Sequence, residues 1–142
     1  MRLKIKLVGD LLGLDLGQAR TGVARMHTVA RIAEPLPAST NILGDIQALV
    51  TLYSACGVVV GTPRGLDGQD TAQTKWAAQM LSELRQTVPT VTFFEIDEAG
   101  TTKEAETRRH DERDSVDSLA ACILLEDFIA QVERGKIDDV TI

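Results

Sequence analysis

The sequence predicts an α/β protein: a mixed β-sheet with helices packed on both faces. Two observations lead there. Three short strand-like segments come first and follow one another directly, as in an antiparallel meander. Beyond them, short β-branched runs alternate with segments of helical spacing, the pattern of parallel strands joined by crossover helices. Right-handed crossovers leave few topologies for such an order. A chain of 142 residues then holds one domain, spanning 1–142, with residues 133–142 as a tail.

The first strand is Leu11-Leu12-Gly13-Leu14-Asp15-Leu16, a short apolar run ended by Gly17. Gly22 to Met26 is expected as the second. Val29 to Glu34 is expected as the third, closed by Pro35 and Pro37. The period then changes. Ile42, Ile46, Leu49, Val50 and Tyr53 fall on one face of a helix. Gly57-Val58-Val59-Val60-Gly61 reads as a central parallel strand. A loop from Thr62 to Gly68 leads to a helix whose apolar stripe is Trp76, Ala77, Met80, Leu81 and Leu84. Asp70 with Gln73 supplies its capping box, and Pro89 ends it. Val91 to Ile96 is the next strand. Thr101-x-x-Glu104 opens a short helix, and a long helix covers Val116 to Val132. The order is β-β-β-α-β-α-β-α-α. From Gly135 the signals are weak, which fits either an edge element or a loose end.

Composition narrows the function classes. Hydrophobic residues make up 44% and charged residues 25%, values of a folded protein with a real core rather than a disordered chain. No apolar run approaches the roughly 20 residues that span a bilayer. The basic start, Met1 to Lys6, lacks the apolar stretch of a secretory leader. Cys56 and Cys122 have no ligand-like spacing and read as buried free thiols of a cytoplasmic protein. The net charge of −6 counts against binding nucleic acid through bulk electrostatics. A carboxylate cluster that holds cations reverses that field locally.

Three carboxylates stand where ionised groups are costly. Asp15 shares a strand face with Leu11 and Gly13, between Leu14 and Leu16, and must be paired, bind metal or become neutral. A bond to the amides of the following turn would also satisfy it. Glu98 falls on one face with Thr92, Phe94 and Ile96, at the C-terminal end of a parallel strand, the edge where open α/β sheets bind ligands. A solvated acid at a strand exit fits the same position. Asp117 begins the stripe Ala120, Ala121, Leu124, Leu125 and Phe128 of the last helix, where the helix dipole also favours an acid. Three acids from distant segments meeting at one sheet edge would raise one another's pKa values unless cations were bound. Such oxygen ligands suit Mg²⁺ or Mn²⁺. Two ions about 3.5–4 Å apart activate water and stabilise a leaving oxygen in phosphodiester cleavage.

These motifs resemble the YqgF/RuvX family. Gly13-Leu14-Asp15-Leu16-Gly17-Gln18-Ala19-Arg20-Thr21-Gly22-Val23-Ala24 is similar to its first motif. Val58-Val59-Val60-Gly61-Thr62-Pro63 with Leu66-Asp67-Gly68 resembles its second. Asp97-Glu98 with Thr101-Thr102 resembles its third, and Val116-Asp117-Ser118-Leu119-Ala120-Ala121 with Leu124 to Phe128 its last. The resemblance covers roughly residues 10 to 131 and implies a ribonuclease-H-like fold with metal-dependent nuclease chemistry. It implies a catalytic and metal-binding triad of Asp15, Glu98 and Asp117, with Mg²⁺ or Mn²⁺. The substrate it implies is RNA, in maturation of the 5′ end of pre-16S ribosomal RNA, or branched DNA in a Holliday junction. Arg20 matches a basic position that meets phosphate.

The chain departs from the family at three basic positions. Ala19 stands where a basic residue is usual, Ala99-Gly100 where Arg-Leu is usual, and His110 to Ser115 replaces a Lys-rich segment. Arg64, Lys75, Lys103, Arg108 and Arg109 are the candidates for a replacement rim. The readings are therefore an RNA nuclease, a junction-cutting DNA endonuclease, and a catalytically weak binding domain on the same fold. A monomer and a homodimer both fit. An actin-like ATPase, which shares an Asp-x-Gly strand end, needs two lobes and more residues than this chain has.

Overall fold

The leucines of the first predicted strand set the centre of the molecule. The computed structural model describes residues 4–63, 71–97 and 116–142. Its strands are β1 (Ile5–Lys6), β2 (Asp10–Asp15), β3 (Thr21–His27), β4 (Ala33–Ser39), β5 (Gly57–Thr62), β6 (Phe93–Asp97) and β7 (Val140–Thr141). Its helices, among the described residues, are α1 (Ile42–Tyr53), α2 (Ala72–Thr87) and α3 (Val116–Glu133). Five strands form one sheet in the order β4-β3-β2-β5-β6. The pairs β2–β3 and β3–β4 are antiparallel, while β2–β5 and β5–β6 are parallel. A meander thus continues into a parallel half, as the sequence predicts.

Alternation along the strands builds two cores. Leu11, Ala24, Met26, Val59 and Ile96 face α3, where they meet Ala121, Leu124, Leu125 and Phe128. Leu12, Leu14, Val23, Val58 and Val60 face the other way, onto Ile46 of α1 and Ala77, Leu81 and Leu84 of α2. Each of these large apolar side chains contributes about 1.5–3 kcal/mol relative to exposure. With so few aromatics, one ring pair stands out: Phe94 and Phe128 lie 5.0 Å apart in a tilted arrangement.

Four expectations need correction. The third strand runs Ala33–Ser39 rather than Val29 to Glu34. Val29 and Ile32 are 77% and 75% exposed in and beside the turn before it. Pro35 and Pro37 lie inside this strand and do not close it, because β4 is a sheet edge. An edge strand tolerates the missing N–H groups that a central strand would not. The cap of α2 is Thr71, not Asp70: the Thr71 hydroxyl accepts from the Thr74 N–H at 3.2 Å, and the Thr74 hydroxyl accepts from the Thr71 N–H at 2.7 Å. Asp70 itself lies outside the described residues. The tail, open in the sequence between an edge element and a loose end, pairs Val140–Thr141 in parallel with Ile5–Lys6, apart from the main sheet. Cys122 is buried as expected, but Cys56 is only half-buried. The short helix opened by Thr101 and Glu104 lies outside the described residues.

Candidate active site

Asp15 is the last residue of β2, on the central strand of the sheet. The alternation that turns Leu11 and Gly13 toward α3 carries Asp15 to the same side, with 9% of its surface exposed. In register it lies between Gly22 of β3 and Gly61 of β5. Both neighbours lack side chains, and that absence makes room above the sheet.

The room is filled by α3. A Cβ placed on Gly13 would come 2.8 Å from the Ala121 carbonyl and 2.8 Å from Leu125 Cγ. One on Gly61 would run into the Leu124 side chain, and one on Gly22 would coincide with the Asp117 carbonyl. The helix therefore rides directly on backbone at these points. Its first turn rests on Gly22, the strand partner of Asp15. Asp15 and Asp117 are separated by most of the chain and are brought to one place by a shared neighbour without a side chain.

Ser118 locks this placement. The β3–β4 ladder is irregular between Thr21 and Val23, where the pairing steps from Ser39 to Leu36. Into that step goes the Ser118 hydroxyl. It accepts from the Val23 N–H at 3.3 Å and donates to the Leu36 carbonyl at 2.7 Å. It thus ties the helix to both strands, and it is 1% exposed. At the other end of α3, Glu133 forms an ion pair with Arg31 from the β3–β4 turn.

Arg20 completes the visible site. It lies in the loop after β2, and its Nε donates to Asp117 Oδ2 at 2.6 Å. The two side chains are 60% and 34% exposed, so the pair stabilises the fold by no more than about 1 kcal/mol. Its value is positional: a guanidinium is held beside the Asp117 carboxylate at the open end of the sheet.

The remaining predicted residues divide in two. Glu98, Arg64, Lys103, Arg108 and Arg109 lie outside the described residues, as does His110. Lys75 is exposed in the first turn of α2, on the layer opposite α3. Asp97 ends β6 as an exposed residue in register with Thr62. His27 Nδ1 accepts from the Val29 N–H at 3.1 Å, a turn contact at the far end of β3. Among the described residues, no three metal-ligating side chains come together. Gly22 and Ser118 stand inside the first and last motifs, but sequence reasoning gave neither a role.

A second charged cluster lies at the opposite end of β2. Arg25 meets Glu34 at 2.8 Å and Asp10 at 3.4 Å, and its guanidinium sits 5.2 Å from the Tyr53 ring centre. Desolvation pulls its pKa down, but the bond and charge of Glu34, with Asp10 behind them, outweigh that and hold it above the ordinary value. These partners hold one another and belong to the framework.

The comparisons with known proteins agree with this architecture. Residues 9–131 match the RuvX family, described as Holliday junction resolvase. A Rubrobacter xylanophilus protein named "Putative pre-16S rRNA nuclease" is 36% identical over 128 residues, 85% of this chain and 92% of that protein. A Roseiflexus protein of the same name is 34% identical over 134 residues, 85% of this chain and 94% of that one. Among solved structures, Thermus thermophilus RuvC in complex with Holliday junction substrate superposes with a TM-score of 0.61 at 13% identity. The match covers 89% of this chain and 96% of that one. At that identity the likeness concerns the fold alone. The chain therefore belongs to the RuvX family and is built on a ribonuclease-H-like fold.

Proposed function

We propose that this chain is a nuclease that hydrolyses phosphodiester bonds of RNA, in maturation of the 5′ end of pre-16S ribosomal RNA. Asp15, Glu98 and Asp117 are its catalytic acids and hold Mg²⁺ or Mn²⁺. The observation that carries the reading is the convergence of Asp15 and Asp117 on Gly22 at the C-terminal end of the central strand. A folded protein has little reason to bring a nearly buried carboxylate from a strand and another from a helix start to one spot. A site for cations is such a reason.

The donor set fits the group. Both acids present hard oxygen atoms, the ligands that divalent magnesium and manganese take. Phe94 and Ile96 face α3, and Glu98 has their parity in the sequence, which supports counting it as the third acid. Bound divalent cations would supply an activated water and neutralise charge on the phosphoryl oxygens. The rest is the chain's own work. Asp15 ends the central strand, whose backbone is paired on both sides, so its carboxylate starts from a held position. Asp117 is set by the Gly22 contact and the Ser118 bonds. Arg20 lies at the mouth, where a guanidinium pairs readily with a phosphodiester oxygen. The names of the relatives favour ribosomal precursor RNA as substrate. The family description favours a DNA junction as the second reading.

The test is cleavage of end-labelled precursor ribosomal RNA and of a four-way DNA junction, each with Mg²⁺ or Mn²⁺. Cutting of the RNA by the wild type and not by Asp15→Asn supports the reading. Preferential cutting of the junction would move it to DNA. Neither substrate cut with either metal would leave a binding domain on a nuclease fold.

A further inference from the structure

We infer that the cavity between the Gly17–Thr21 loop, the start of α1 and Trp76 of α2 is a subsite for one unpaired nucleobase next to the cleaved bond. The inference rests on the nuclease reading above and adds to it a place where a base is held. The cavity measures about 110 Å³. Its wall includes Arg20, which also reaches Asp117. One residue thus joins the cavity to the acid pair, and a strand with its phosphate at Arg20 has its neighbouring base at the cavity mouth.

The lining suits a base rather than a phosphate. Trp76, the only tryptophan in the chain, is half-buried and packs beside Met80 on the α2 side of the core. Both line the cavity. A helix stripe facing a core of leucines and valines does not need an indole at the cavity wall. An aromatic plane beside a nucleic-acid site is a stacking platform that every base can use. Opposite the apolar wall stand the exposed Gln18, Thr40 and Asn41, which offer donors and acceptors to a base edge. A phosphate would fare badly there. The start of α1 is already neutralised, since Asn41 Oδ1 accepts from the Gly44 N–H at 3.3 Å. Asp45 in the same turn accepts from the Ser39 hydroxyl at 2.6 Å. The Asp45 carboxylate, bonded to the lining Ser39, puts negative charge behind the wall, which disfavours an anion more than a neutral planar ring. A base inside a duplex has both faces stacked and its edge paired, so the ligand is an unpaired base.

Trp76 is its own reporter. A ten-nucleotide single-stranded RNA is titrated into the wild type without divalent cations and into Asp15→Asn with Mg²⁺. Tryptophan fluorescence is read beside the anisotropy of a labelled copy. A second series carries one abasic position at a time. Fluorescence quenching with the midpoint of the anisotropy curve is expected. One abasic position should weaken binding about tenfold, the scale of a single base–aromatic stack. Trp76→Leu should weaken the intact RNA about tenfold and abolish the penalty at that position, while Trp76→Phe keeps most of both. Loss of packing alone would lower the affinity equally for all oligonucleotides, which would overturn the subsite. Anisotropy that rises with no change in tryptophan fluorescence and a flat abasic scan would also overturn it and leave the nuclease reading standing. No binding, with no cleavage under any metal, would remove both.

Discussion

The carbonyl of Asp117 rests on the α-carbon of Gly22, closer than any side chain at position 22 would permit. The contact ties the first turn of the last helix to the strand partner of Asp15. The placement of α3 against β3 is therefore decided by a hydrogen atom where other residues carry a methyl group.

Replacing that hydrogen has a defined cost. Gly22→Ala drives a methyl into main chain that cannot rotate away, so α3 must lift. Overpacking of this kind costs about 1–3 kcal/mol, or roughly 3–10 °C in melting temperature for a domain of this size. Calorimetry checks the stability. Cleavage should be lost in the fraction that remains folded, because the lift separates the acids.

Ser118→Ala removes one oxygen and strands two partners. The Val23 N–H and Leu36 carbonyl are left inside the protein without the hydroxyl that bridges them. An unsatisfied buried polar group costs about 1–3 kcal/mol. Denaturant melts should show that loss, and hydrogen exchange at the Val23 amide should accelerate far more than at Leu12 or Val59.

Arg20→Ala should behave in the opposite way. Its bond to Asp117 is exposed, so stability should change by less than about 1 kcal/mol. Steady-state cleavage should show KM raised about tenfold, the loss of one charged phosphate contact. A change confined to kcat would mean that Arg20 acts on the acids and not on substrate.

The two thiols should separate cleanly. Burial pushes the Cys56 thiol up from its ordinary value, a backbone hydrogen bond lowers it and nearby Asp10 raises it further. At pH 7 to 8 it therefore holds less thiolate than a free cysteine and reacts slowly. Cys122 is buried in α3 and should react only on unfolding. Thiol titration before and after denaturant should show slow modification of one cysteine and then release of the second.

Much of this was legible in the sequence where burial is strong. Leu11 to Leu16, Val58 to Val60 and the stripes of α1, α2 and α3 follow their periods because both cores select for them. Asp15 and Asp117 were visible as acids on apolar faces, though a turn and a helix dipole each offered a local reason for one of them. Arg20 came from the motif and not from any periodicity. The errors lie where tertiary context decides. Pro35 and Pro37 look like strand breakers until β4 is known to be an edge. Val29 and Ile32 look like strand until the turn exposes them. β1 and β7 pair two residues each across the length of the chain, and no local pattern announces such a contact. Trp76 reads as core because its spacing is core spacing; the structure packs it against that core and also sets it at a cavity wall.

The Ser118 bond to Val23 spans 95 residues, and so does the clasp that sets the acids. Contacts of such sequence separation form late, after shorter loops have closed. During synthesis the meander leaves the ribosome with one face of its sheet bare and Asp15 alone on it. Only when the last helix arrives does that face acquire both its cover and its second acid. Completion of the core under α3 and the meeting of the two acids are thus one event.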